Sequence, residues 1–113
     1  MPNPIVHWEI AVTDYPKAKQ FYSQLFDWTI DDNNPMNYGM VKSGGVDGGL
    51  FSTAGKMPNY VTIYVQVDDL QQSLDKAVQL GGKAIVPPTP IPGVGAIAMF
   101  TDPSGNMVAI FKR

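Results

Sequence analysis

The chain contains one histidine, His7, and it stands two residues before Glu9 in the run Val6-His7-Trp8-Glu9-Ile10-Ala11-Val12. Apolar and other residues alternate here, the period of a strand with two distinct faces. His7 and Glu9 therefore share one face. An imidazole that titrates near neutrality beside a carboxylate is a general acid–base pair. The same two groups would hold a divalent metal only weakly, because a stable catalytic site uses about three protein ligands and an open position. The plainer alternative is a hydrogen-bonded structural histidine and a paired carboxylate. With no cysteine present, thiolate ligands, cysteine nucleophiles and disulfides are excluded.

The elements around this pair are readable from local signals. The strand spans Val6 to Val12, and Asp14 is an N-cap with Pro16 in the first helical turn. Ala18, Phe21, Tyr22 and Leu25 follow at helical spacing and give one apolar face. Trp28 to Ile30 reads as a short strand, and 31–36 as a polar loop in which Asp31 and Asp32 are solvated. Tyr38 to Lys42 and Val46 to Ser52 read as a strand pair turning at Ser43-Gly44-Gly45.

The chain then repeats itself. Val61-Thr62-Ile63-Tyr64-Val65-Gln66-Val67 is a second alternating strand running into Asp69, as the first runs into Asp14. Leu70, Leu74, Ala77 and Val78 form a helix stripe that ends at Gly81-Gly82. Lys83 to Val86 is a short strand. Pro87 to Gly93 is too rich in proline for a central strand. Gly95 to Thr101 and Asn106 to Lys112 form a hairpin across Asp102-Pro103-Ser104-Gly105. The expected organisation is one domain over 1–113, with module one about 1–56 and module two about 57–113, joined through 53–59.

The net charge is −2 and no Lys/Arg cluster is present, so nucleic-acid binding lacks its electrostatic footprint. No stretch approaches the roughly 20 apolar residues of a membrane helix, and no signal peptide is seen. A cytoplasmic location is expected. Glycines 44, 45, 48 and 49 form no phosphate loop, because no Lys-Ser/Thr follows.

Three passages carry a resemblance. They are His7 through Asp14 with Ala18 to Trp28, Val65-Gln66-Val67-Asp68-Asp69-Leu70, and Asp102-Pro103-Ser104-Gly105-Asn106. In this order they resemble the vicinal oxygen chelate superfamily, which includes glyoxalase I, extradiol dioxygenases and bleomycin-resistance proteins. The resemblance covers nearly the whole chain. It implies an α+β fold of two tandem βαβββ modules, with curved mixed sheets around a cavity, and in many members a homodimer. Enzymes of the superfamily hold one divalent metal with His and Glu from the first and last strands of each module.

Carried onto this sequence, the resemblance puts His7 at the first-strand ligand position of module one and Thr62 at that of module two. The last-strand positions fall on Gly49 and Ala109. A hydroxyl, a hydrogen and a methyl replace three of the four ligands. Only His7 would serve a metal, if one is bound, and no cofactor is expected. The pleat places Thr62, Tyr64, Gln66, Met107, Phe111 and Phe51 on the cavity face beside His7 and Glu9. That lining suits a mid-sized, partly apolar ligand; the alternative is that Phe51, Met107 and Phe111 only fill core. Trp8, Ile10, Ile63, Val65, Val108 and Ile110 should lie under the helices.

The leading expectation is a small-molecule-binding protein of the glyoxalase/bleomycin-resistance type without most of the usual metal ligands. It would be an enzyme using His7 and Glu9, or a sequestering protein. The alternatives are a metal-dependent lyase, isomerase or dioxygenase with an atypical site around His7 and Glu9, and a non-catalytic dimeric module.

Overall fold

A computed structural model of the chain describes residues 3–113. Module one comprises β1 (Ile5–Val12), α1 (Tyr15–Phe26), β2 (Thr29–Asp31), β3 (Gly39–Lys42) and β4 (Gly48–Ser52). Module two repeats that order with β5 (Tyr60–Gln66), α2 (Leu70–Gln79), β6 (Lys83–Ile91), β7 (Gly95–Thr101) and β8 (Met107–Lys112). In each module the first and last strands pair in parallel, and the remaining pairs are antiparallel. The chain is therefore α+β, built of two βαβββ modules. No helix among the described residues is long and apolar enough to cross a membrane.

Two compact units divide the chain. One is His7–Thr62; the other is Ile63–Arg113 with the start of the chain through Val6. The first residues of β5, Tyr60 to Thr62, thus belong with His7 and Glu9.

Both helices start as their sequence signals require. Asp14 accepts from the Lys17 backbone N–H at 3.2 Å, and Asp69 accepts from that of Gln72 at 2.9 Å. Each carboxylate satisfies a donor that a helix N-terminus otherwise leaves orphaned. The helices differ in what they bury. Leu70 and Leu74 of α2 are buried in a cluster with Val67, Ala98 and Ile110. In α1 no residue is fully buried, and Phe21 and Leu25 are exposed. The apolar face expected of Phe21 and Leu25 is thus turned outward. Tyr22 instead stacks on Trp28, which in turn meets Trp8 and Phe26.

The largest extension of a strand beyond the pattern is in β6. β6 continues through Pro87, Pro88 and Pro90, where a break was expected. Within its module β6 pairs only with β7, and its register slips at Ala84/Val86 and at Val86/Thr89. Proline lacks an N–H, so an edge strand with irregular pairing is where it is tolerated. The Asp102 turn is fully bonded. Its carboxylate accepts from the Ser104 and Asn106 backbone N–H groups and from the Asn106 side-chain amide. These bonds, that from the Asn106 side chain first, hold the Asp102 carboxyl below its usual range.

Among the residues expected under the helices, Ile110 is buried, and Val65 packs against the α2 cluster. Ile63 is 37% exposed. Within its unit α2 packs on β6, β7 and β8.

Candidate functional site

Glu9 is 5% exposed although it is a carboxylate. A buried charge is tolerated only where hydrogen bonds replace water. Two phenols do so here. Tyr38 donates to Glu9 Oε1 at 2.8 Å, and Tyr60 donates to Oε2 at 2.5 Å. The Tyr38 hydroxyl lies 3.0 Å from His7 Nε2, and the two rings stack with centroids 6.2 Å apart. His7, Tyr38, Glu9 and Tyr60 thus form one connected polar chain inside the His7–Thr62 unit.

The backbone of module one makes room for it. β1 pairs with β4 so that Glu9 opposes Gly49 and Trp8 opposes Gly48. A Cβ at Gly49 would stand 1.7 Å from the Tyr38 hydroxyl, and one at Gly48 would stand 2.1 Å from the Trp8 ring. Adjacent residues of a strand face opposite ways. Gly49 therefore clears one face for the Tyr38 phenol, and Gly48 clears the other for the Trp8 indole. The indole N–H is anchored on the Val46 carbonyl at 2.7 Å.

Tyr38 is fixed from behind by Asn34. The Asn34 side chain accepts from the backbone N–H groups of Met36 and Tyr38 and donates to the Tyr38 carbonyl at 2.7 Å. The same loop is tied to α1, because Asp32 accepts from both the Tyr15 hydroxyl and Lys19 Nζ at 2.9 Å. Asp32, expected to be solvated, is thus an ion-paired clip, and the Lys19 and Tyr15 bonds hold its carboxyl below the ordinary range.

Burial lowers the His7 pKa; the negative charges of Glu9 and Asp47 oppose this and do not overcome it. The ring is therefore neutral near pH 7. Burial and the Glu9 carboxylate push the Tyr60 phenol up, so it remains a donor. Neutral imidazole beside a phenol-held carboxylate is suited to accepting a proton or a hydrogen bond.

The other expected residues fall as follows. Phe51 is half-buried, with its ring 6.1 Å from that of Tyr38, and Thr62 is buried in the same unit. In the second unit, Tyr64 and Phe111 are buried in a cluster with Met99 and Ala109, and Met107 packs against it. Gln66 is exposed at the end of β5. Tyr38 and Tyr60 are absent from the sequence-derived set. A carboxylate on an inner strand face needs donors, and a glycine opposite it implies a bulky neighbour; those two signals together point to tyrosine.

The donor set does not fit the chelate that the resemblance implies. Both Glu9 oxygens and His7 Nε2 are engaged by phenols, and Gly49 is covered by Tyr38. Thr62 and Ala109 supply a hydroxyl and a methyl. Among the described residues, no three His, Cys, Asp or Glu side chains are placed to hold a metal ion.

The model of the Glyoxalase/Bleomycin resistance protein/Dioxygenase superfamily matches residues 4–110. CFP32 of Mycobacterium tuberculosis is 30% identical over 92% of this chain and 43% of that protein. The anthracycline biosynthesis protein DnrV of Streptomyces peucetius is 23% identical over 99% of this chain and 48% of that protein. The chain thus spans less than half the length of either relative. Among solved structures, a superfamily member from Vibrio splendidus has a TM-score of 0.68 at 14% identity, covering 98% of this chain and 99% of that one. The Mn(II)-bound glyoxalase from Novosphingobium aromaticivorans has a TM-score of 0.68 at 19% identity, covering 98% of this chain and 39% of that one. At such identities these likenesses concern the fold alone. The match along the sequence and the repeated βαβββ module agree, and the chain belongs to the Glyoxalase/Bleomycin resistance protein/Dioxygenase superfamily.

Proposed function

We propose that the chain binds a small molecule through His7 and the Glu9 carboxylate rather than through a three-ligand metal centre. The observation that supports this reading is the buried Glu9, held by Tyr38 and Tyr60 and linked through Tyr38 to His7. Such a network orients a base and leaves too few donors for a chelate. Where a reaction follows binding, His7 is the group that moves the proton. Tyr38 and Phe51 add aromatic faces to the same unit. Together with the name of the DnrV relative, they favour an aromatic, partly polar ligand.

The test is a thermal-shift screen of aromatic acids, phenols and quinones on the wild type and on His7→Ala, with metal analysis of both. A ligand at 100 times its dissociation constant adds about 2.7 kcal/mol of stability. A shift in the wild type that His7→Ala loses while still folding supports the reading. A tightly held divalent ion that disappears in His7→Ala would overturn it in favour of the metal-dependent alternative. A screen in which nothing binds favours the non-catalytic module.

A further inference from the structure

We infer that the unit formed by Ile63–Arg113 and the start of the chain holds a binding site of its own, for a medium-chain alkyl carboxylate. A cavity of about 430 Å³ lies between the C-terminal half of α2 and the strands beneath it, lined by residues of that unit alone. Its volume is in the range of small-molecule sites. The sequence of α2 explains the opening. Leu70 and Leu74 fill the first half of the helix stripe and are buried against the sheet. The next position of the stripe is Ala77, whose methyl is too small to fill the space below it. Leu80 stays on the rim, 70% exposed. Gly82 closes that end, because it brings the chain so near β7 that a Cβ there would stand 2.4 Å from the Thr101 carbonyl oxygen.

The lining selects the ligand. Val65, Val67, Phe100 and Ile110 make an apolar floor. Phe100 is the only ring among the lining residues, so the floor suits an alkyl body rather than a stacked aromatic one. At the mouth, Ser73 and Lys76 stand three residues apart on one side of α2, where a hydroxyl and an ammonium can meet the same oxyanion. Lys76 is exposed and forms no ion pair among the described residues. The carboxylate on the rim, Asp102, is committed to three N–H donors of its own turn. The unpaired charge at the mouth is therefore positive, and it complements a carboxylate at the end of an apolar chain.

Calorimetric titration of decanoate into the full chain should show saturable binding, with the methyl resonances of Ala77 and Ile110 moving as the site fills. Each methylene removed, through octanoate to hexanoate, should weaken binding about fourfold. Lys76→Met keeps the stem and removes the charge. It should weaken decanoate about threefold and leave decanol unchanged, and Lys76→Glu should weaken decanoate further. Ala77→Leu fills the cavity and should abolish binding of both; the Lys76 variants decide the matter if it does not fold. His7→Ala should bind decanoate as the wild type does, so this site and the His7 reading stand or fall separately. Absence of decanoate binding would overturn the inference. So would binding that persists in folded Ala77→Leu, that ignores both Lys76 variants, or that is lost in His7→Ala.

Discussion

The two modules have the same strand order and the same register, yet opposite inner faces. In module one the parallel pair of β1 and β4 sets Glu9 against Gly49. In module two the parallel pair of β5 and β8 sets Tyr64 against Ala109. The first place holds a carboxylate wrapped by two phenols; the second holds a tyrosine in a cluster with Met99 and Phe111. The backbone repeat fixes where side chains project, and the side chains decide what that place becomes. The two copies thus place different side-chain chemistry at the same backbone position.

The comparison is tested most severely at the glycines. Gly48→Ala drives a methyl into an indole pinned by Val46 and Trp28, and Gly49→Ala evicts the Tyr38 phenol. Overpacking of this kind costs about 1–3 kcal/mol, with Gly48→Ala at the upper end. The converse change in module two, Ala109→Gly, should cost only about 0.5–1 kcal/mol. Urea denaturation reads all three. The His7 resonance should move in Gly49→Ala and stay in Gly48→Ala, and a Gly49→Ala protein with wild-type stability would break the contrast.

Next in size is Glu9→Gln. An amide has one oxygen to accept and cannot serve both phenols. One donor is left unsatisfied, at about 1–3 kcal/mol. The His7 pKa should fall further, because the negative charge of Glu9, with that of Asp47, opposes the lowering by burial. Met99→Leu in the apolar copy is a volume-conserving change and should cost under about 1.5 kcal/mol. Equal losses in the two variants would mean that the polar network contributes nothing beyond packing.

The smallest effect is the dependence on pH. The folded-state pKa of His7 lies below its ordinary value of 6.5. Between the two values the unfolded chain binds a proton that the folded chain refuses. This contribution to stability is complete above 6.5 and is lost as pH falls through the folded value. The pH slope of stability just below 6.5 should be shallower in His7→Ala than in the wild type. Identical slopes would place His7 outside the buried network.

Much of the fold is legible because its signals are local. Asp14, Asp69 and the Asp102 turn act through backbone groups within four residues of themselves. The alternation around His7 and Thr62 marks the first strand of each module without reference to anything distant. The site is only half legible. His7 and Glu9 share a strand, so the pleat alone pairs them. Tyr38 reaches Glu9 from 29 positions away and Tyr60 from 51, and no local pattern links residues that far apart. The outward face of Phe21 and Leu25 was also beyond reach, because helical spacing says that a face is apolar but not which side of the helix a neighbour covers.

Tyr38 over Gly49 also constrains how this protein can change. A carboxylate at position 49 cannot be gained in one step, since its first carbon would collide with the phenol already there. Losing Tyr38 first would strip Glu9 of a donor and His7 of a partner before any replacement existed. Any route to a metal-holding side chain at 49 thus crosses a less stable intermediate. The glycine constrains what the site can become, even though it contributes no functional group.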